Sequence, residues 1–469
     1  MVMQIPILSG IYTDNDSDFR TSYPRNLVPV MKSTGISEGY LRPSDGIVEF
    51  GTGPGIDRGG INWNGTCYRV MGARLVRINA DGTATNIGYV GNDNKSVTLD
   101  YSFDRLAIAS NGSLYYWDGA TLTKVTDPDL GNVVDMIWVD GYFMTTDGQY
   151  LIVTELSNPN QVNPIKYGSS EADPDPIKAL IKLRNEPYAL NRNTIEVFQN
   201  VGGDLFPFQR IEGGQIMRGT VGSHTCCLFI EALAFMGGGR NEAIAIWLGS
   251  NGQTTKISTR EIDQILATFT EVELSQCVLE SRVYNSFQHL YVHLPNQTWV
   301  YDAAGSQIAG QPIWFQLTTS LVGLGQYRAR NFVYCYDKWL AGDPLSNKHA
   351  YLTDAISSHY GQLNGWELST MIIYNDGKGA MFHMLELVCL TGRVNLDTNP
   401  VIWASYSLDG RSWSQEHAIS AGRQGQTLKR LVWLQNGYMR TWRIQKFRGA
   451  SDSHLAIARL EAQLEPANV

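Results

Sequence analysis

The 469-residue chain is short of charge, with Asp, Glu, Lys and Arg making up 17% of it, and it holds only six cysteines. Low charge beside 43% apolar and 11% aromatic residues excludes the highly charged, weakly apolar composition of a disordered chain. Cys67, Cys226, Cys227, Cys277, Cys335 and Cys389 lack the short paired spacings of a zinc site, and a chain of this length does not depend on disulfides. Reduced, buried thiols are expected. Positive charge is scarce as well. The 37 Lys plus Arg against 45 Asp plus Glu leave a net charge of −8, which excludes the concentrated basic face of a duplex-binding protein. No apolar run reaches the roughly 18 residues that a membrane helix requires. The best candidate, TCCLFIEALAFMGGG, is interrupted by Glu231 and ends in glycines. The opening MVMQIPILSG has neither the basic start nor the long apolar stretch of a signal peptide, so a soluble chain is expected.

Charge is also uneven along the chain. Residues 371–469 carry 11 Lys plus Arg against 8 Asp plus Glu, a net of +3, and residues 1–370 carry 26 against 37, a net of −11. An acidic body with a mildly basic tail suggests two domains with different contacts, against the plainer alternative of ordinary surface variation.

Glycine is plentiful, at 46 residues, and it punctuates short alternating segments. SLYYWDGATLTKV, residues 113–125, alternates, turns at Asp118-Gly119 and alternates again, the pattern of a β-hairpin. Similar segments recur, anchored at Ile78, Trp117, Val153, Val197, Trp247, Val300 and Leu352, with spacings from 36 to 53 residues. That is the period of four-stranded propeller blades, and each anchor is preceded by another strand-like run, such as GTCYRVMG or HLYVHLP. A lone hairpin cannot bury its apolar face, whereas blades around a ring bury both faces. The expected fold is all-β: a propeller of about seven blades. Trp117-Asp118 does not make it a WD-repeat protein, because the partner Gly-His is missing.

Three segments depart from the blade pattern. In residues 258–283, Ile262, Ile265, Leu266 and Phe269 fall at helical spacing, and Leu274, Cys277 and Val278 begin a second stripe. Ser258 with Glu261 and Thr270 with Glu273 fit capping boxes, so a helical hairpin is expected between blades, either as a cover or as a docking element for another subunit. Beyond residue 370, runs such as PVIWASYSLDGRSWS and KRLVWLQNGYMRTWRIQKF read as a β-sandwich with turns at Asn375-Asp376-Gly377 and Asp409-Gly410. Residues 1–55 hold few strand runs and read as an arm over a neighbouring surface. The expected division is an arm over 1–55, a propeller over 56–370 and a C-terminal β-sandwich over 371–469.

Catalytic motifs are missing: there is no Walker loop, no G-x-S-x-G elbow and no H-E-x-x-H. GTGPGIDRGG, residues 51–60, has the wrong spacing for a dinucleotide fingerprint and reads as a loop. Asp14, Asp16 and Asp18 alternate like a calcium loop, but Phe19 and Arg25 stand where Gly and Glu are needed. His289 and His293 would share a strand face, more readily as exposed or core histidines than as metal ligands. SLDGRSW, residues 407–413, resembles the Asp box of sialidases with one residue missing between Asp409 and Gly410; a hairpin turn with Trp413 packed on the sheet is the favoured reading. A glycan-binding or glycan-cleaving propeller is therefore the alternative function, and it predicts several regular boxes where this chain has one defective copy. No catalytic, cofactor-binding or metal-ligating residue is assigned, and no cofactor is expected.

Residues 261–303 carry a resemblance. An acidic helix pair, a V-x-E-S-like turn (Val278, Leu279, Glu280, Ser281), a strand ending His293-Leu294-Pro295 and a Val300-Tyr301-Asp302 strand occur in the order found in the DNA-stabilising tail hub proteins of short-tailed Salmonella-type phages. GYLRPSDGI (39–47) and NTIEVFQNVGG (193–203) also resemble that family, with Ser44-Asp45 standing where the family has a proline. The resemblance implies a non-enzymatic virion protein. It implies a hexameric hub or nozzle ring below the portal and its head-to-tail adaptor, assembled in the host bacterial cytoplasm, closing the head after DNA packaging. Such a ring would hold the tail needle and tailspikes and pass double-stranded DNA without sequence-specific binding, with no membrane insertion by this chain. An acidic body would suit a channel along which DNA must slide. Glu261, Asp263, Glu271 and Glu273 are the expected docking acids, and Arg430, Arg440, Arg443, Lys446 and Arg448 the expected face for an acidic partner.

Overall fold

The computed structural model describes residues 2–5, 23–32, 39–375, 378–396, 398–450, 452 and 455–467. Asp14, Asp16, Asp18 and the Asp376-Gly377 part of one expected turn lie outside them.

Seven antiparallel sheets form the blades: 57–89, 98–124, 135–169, 177–210, 219–256, 278–317, and a seventh made of 330–353 with Gly46–Thr52. The innermost strands, 57–63, 98–101, 135–139, 177–183, 226–229, 278–284 and 330–335, lie side by side in that order, and 330–335 returns to 57–63. The ring is closed. Every expected anchor falls on the third strand of its blade, and the hairpin of residues 113–125 is the outer half of blade 2, with Gly119 at φ 96 in its turn. The inner strands of the blades bury apolar side chains between neighbouring blades; Phe235, Trp299 and Phe315 are among the largest side chains within 2% of full burial. Each such burial contributes about 1.5–3 kcal/mol.

The seventh blade joins distant parts of the chain. Gly46–Thr52 pairs antiparallel with Lys348–Thr353, so the first propeller strand closes the last blade. Here the expected glycine loop is corrected: residues 51–52 end this closing strand and 57–60 open blade 1, leaving only 53–56 as the connection. The glycines serve close backbone approach, since a Cβ on Gly51 would lie 2.0 Å from the Gly82 carbonyl oxygen.

The β-sandwich draws on both ends of the chain. Its first sheet runs Leu27–Met31, Gly39–Pro43, Ala456–Pro466, Ala380–Leu390, Leu431–Leu434, with Val2–Ile5 alongside Ala456–Pro466. The second runs Trp366–Ser369, Trp442–Gly449, Val401–Ser407, His417–Ser420. Leu27, Leu41, Phe382, Leu385, Phe447, Ile457 and Leu460 fill the space between. The strand-poor arm is therefore corrected: 27–31 and 39–43 are sandwich strands and 46–52 is a propeller strand. Likewise Trp366–Ser369, expected in the propeller interval, pairs in the sandwich. Several of their sheet partners lie far along the chain: Leu41 pairs with Ile457, Gly46 with Thr353 and Trp366 with Gly449. The propeller is an insertion between two halves of the sandwich.

The helical segment is shorter than its apolar stripe suggests. Helix α1 is Arg260–Leu266 and helix α2 is Glu271–Leu274, because Val278–Tyr284 is already the innermost strand of blade 6. The V-x-E-S segment is therefore strand and not turn. Thr270 and Glu273 form the expected capping box, but Thr259 rather than Ser258 stands at the N-cap of α1, and its side chain makes no cap hydrogen bond. The Ser258 hydroxyl instead donates to Asp263, 2.6 Å away. A third helix, α3 at Ala303–Ala309, joins the outer strands of blade 6.

Candidate functional site

With no catalytic motif in the sequence, the places where side chains do specific work are the seams between blades, the junction of the two domains and the outer surface. The seams are held by carboxylates. Asp100 accepts the Trp138 amide across blades 2 and 3 at 2.6 Å, and Asp135 accepts the Leu180 amide across blades 3 and 4 at 2.8 Å. Glu280 accepts the amides of Asn331 (3.0 Å) and Phe332 (2.7 Å) across blades 6 and 7, and His293 Nε2 lies 2.8 Å from the same carboxylate. At the closing seam Asp57 forms a buried bidentate pair with Arg69 (2.6 and 2.9 Å) and accepts from Asn331. Inner-strand amides near the axis of a ring cannot all be met by sheet ladders, so fixed acceptors satisfy them. Burial pushes the Asp135 carboxyl up to about 6 in spite of three hydrogen bonds that favour its charged form.

The domain junction carries a buried ion triplet. Asp45, in the connection from sandwich to propeller, accepts from Arg42 at 3.1 Å and from Arg282 of blade 6 at 2.8 Å. Burial alone would raise its carboxyl, and Arg282 and Arg42 outweigh that and hold it below its ordinary value. Arg282 in turn lies 3.6 Å from the centre of the Tyr284 ring. The two chain crossings also bond to each other, through Gly46 N to the Ile356 carbonyl and Ile47 N to the Ser358 carbonyl. Beside this joint a cleft of about 870 Å³ separates the outer face of the first sandwich sheet from residues 354–357.

Family models decide what this architecture belongs to. The phage P22 Gp10 β-propeller model matches residues 3–357, and the phage P22 Gp10 β-sandwich model matches 365–465. The chain belongs to the phage P22 Gp10 family. Among curated proteins it is 26% identical to the tail hub protein gp10 of Salmonella phage P22 over 488 residues, covering 99% of this chain and 100% of that protein. Solved structures give weaker likenesses. The N-terminal domain of Nup159 matches at a TM-score of 0.42 and 8% identity, covering 71% of this chain and 99% of that one. The Neurospora crassa Pan2 WD40 domain matches at 0.42 and 9%, covering 66% and 96%. Neither bears on function. Membership of the Gp10 family gives the chain a structural role as a phage tail hub rather than an enzymatic one.

The segment that resembles Gp10 relatives now has a physical explanation. Glu280 and His293 are the blade 6–7 staple, and Val300 is buried on the third strand. Asp302 ends that strand at the start of α3, where burial pushes it up to about 6. His289 is enclosed by Tyr284, Phe287, Tyr291 and Phe315, with both ring nitrogens unpartnered, and burial lowers it to about 3. It is a core histidine. Among the described residues no cluster of three or more potential metal ligands occurs.

All four expected docking acids are engaged within the Gp10 fold. Glu261 accepts from Tyr23 at 3.1 Å, Asp263 pairs with Lys256, Glu271 forms a bidentate pair with Arg192 (2.6 and 2.9 Å), and Glu273 closes the capping box on Thr270. The expected basic face is corrected in detail. Arg443 is wholly buried between the Phe382 and Tyr406 rings at 4.1 and 3.9 Å, and burial lowers it to about 9. Arg430 pairs with Glu386 and Arg448 with Glu416, while Lys446 lies 3.9 Å from the Trp413 ring centre. Of these five, Arg440 alone is exposed and without an ion pair to a described residue. Sequence spacing cannot separate a surface arginine from one stacked in a core.

The Asp-box-like segment is a sandwich turn. Asp409 accepts from the amides of Arg411 (2.8 Å) and Ser412 (2.7 Å), and Trp413 packs back onto the sheet through Lys446. The six cysteines form no disulfide; four are buried, Cys227 and Cys389 are half-buried, and burial pushes the Cys277 thiol up to about 12. Among the described residues no helix is long and apolar enough to cross a membrane.

Proposed function

We propose that the chain assembles as a hexameric ring below the portal and head-to-tail adaptor of a short-tailed phage, closes the head after packaging and leaves a conduit for DNA ejection. The observation that supports this reading is the match of both Gp10 family models, propeller and sandwich in the same order along the chain, together with whole-length similarity to a tail hub protein. Needle and tailspikes would attach to this ring.

The physical properties suit the task. A ring of identical copies needs heterologous interfaces that close, and these require extensive surface rather than chemistry. A rigid subunit helps, because each contact then fixes the next. The blade staples, the Asp45 triplet and the paired chain crossings all restrict motion between and within the domains. Net negative charge disfavours adhesion of DNA to the conduit. A few of the acids, among them Asp57, Asp135 and Glu280, are spent in the seams between blades, so a small part of the charge excess is structural.

A phage whose copy of this chain is deleted tests the reading. The heads should package DNA and then lose it, and added purified chain should restore retention. Heads that hold their DNA without the chain would contradict the proposal.

A further inference from the structure

Two long sandwich loops, 391–400 and 421–430, are tied into one lobe. Gly425 N donates to the Gly392 carbonyl at 3.1 Å, the Thr391 hydroxyl to the Gln426 carbonyl at 3.1 Å, and Ala421 N to the Pro400 carbonyl at 2.7 Å. Gly392, at φ 73, permits the approach: a Cβ there would lie 2.6 Å from Gln426 backbone carbon. The lobe is therefore an ordered platform, and on it stand two leucines that a free surface does not favour, Leu428 at 95% exposure and Leu396 at 74%.

Its charge is one-sided. By sequence the two loops hold Arg393, Arg423, Lys429 and Arg430 against one acid, Asp397, which lies outside the described residues. Arg430 is taken by Glu386, while Arg393, Arg423 and Lys429 have no carboxylate partner among the described residues. The sandwich's other described acids are spent locally: Glu416 on Arg448, Glu461 on Arg459, Glu465 on His383, Asp409 in its turn, and Asp452 on Ser357 and Ser358. Uncompensated cations beside protruding leucines fit an acidic protein surface with apolar recesses. A phosphate backbone would leave the leucines in water.

We infer that this lobe docks onto the acid-rich propeller of a second copy of the chain. The inference rests on the ring reading above and names its contact. The propeller, residues 46–357, carries 22 Lys plus Arg against 31 Asp plus Glu, a net of −9, and the lobe presents the cations of Arg393, Arg423 and Lys429, so each copy offers both halves of a complementary pair. Lobe-to-propeller contact is head-to-tail, the kind that closes into a ring and not a two-fold dimer.

The test mixes 14N- and 15N-labelled full-length chain with portal–adaptor complex and applies a zero-length lysine–carboxylate crosslinker. Mass spectrometry should find Lys429 joined to an Asp or Glu of the propeller in peptides of mixed label. The triple variant R393E/R423E/K429E should close rings about tenfold more weakly by mass photometry, the loss of a few exposed pairs, and L428S should also weaken closure. An unchanged unfolding midpoint shows that the variants fold. Rings that form equally well from the triple variant, with Lys429 linked only within its own chain or to another tail protein, overturn this contact and leave the ring reading standing. A wild-type chain that forms no ring on the adaptor overturns both. Salt-sensitive duplex DNA binding that the triple variant abolishes would assign the lobe to nucleic acid and overturn the inference.

Discussion

Single residues carry this fold at two kinds of position, buried acceptors and tight turns. Asp135 sits at the seam of three blades, taking the Thr98 hydroxyl and the Met136 and Leu180 amides. Because burial raises its carboxyl from 3.8 to about 6, its contribution to stability is full below the unfolded value and is lost as pH rises through the folded one. Asp135→Asn cannot titrate. The unfolding free energy of wild type minus variant should therefore fall by about 3 kcal/mol between pH of about 4 and about 6 and be flat outside that window, as read by urea denaturation. Parallel pH curves would show that the carboxylate is not held up. Ile230 is the second case. It has φ 59 in the blade 5 inner hairpin, where Asn64, Asp140 and Asn285 occupy the equivalent turns of other blades, and it is 51% exposed. A β-branched residue is strained there, so Ile230→Asn should raise stability by about 1 kcal/mol, seen as a higher melting temperature.

At the scale of elements, local signals were read correctly where partners are close in sequence. The third and second strands of each blade pair through tight hairpins, and their alternation exposed Ile78, Trp117 and the other anchors. Elements whose partners are remote gave no such signal. Gly46–Thr52 finds Lys348–Thr353, and Leu41 finds Ile457, and nothing in GYLRPSDGI or GIVEFGT alone states those pairings. The Thr270–Glu273 capping box was legible in residues 261–273, but nothing in that segment reveals that Glu261, Asp263 and Glu271 are taken by Tyr23, Lys256 and Arg192. The shared sandwich leads to a prediction. A chain ending at residue 370 loses Ala380–Leu390 and Ala456–Pro466, leaving Leu27–Met31 and Gly39–Pro43 without a sheet to join. Hydrogen exchange should show those two segments unprotected while blades 2–5 keep their protection. Full protection of 27–43 in the truncated chain would refute the shared sandwich.

For the whole molecule, a closed seven-bladed ring is inserted into a sandwich built from both chain ends, and the two are locked at the Asp45 junction. Such a body sets an acidic propeller, with a net charge of −9 over residues 46–357, beside a nearly neutral sandwich, and buried contacts hold the two together. The fold, the absence of a catalytic motif and the tail hub family were all legible in the sequence. Which charges remain free for partners was not, because ion pairing is decided by tertiary neighbours. Electron cryomicroscopy of the full-length chain mixed with portal and adaptor rings from the same phage tests the central claim most directly. The account predicts an added six-fold density below the adaptor, with one propeller and one sandwich per copy. Portal–adaptor particles without that density, beside a chain that remains monomeric, would contradict it.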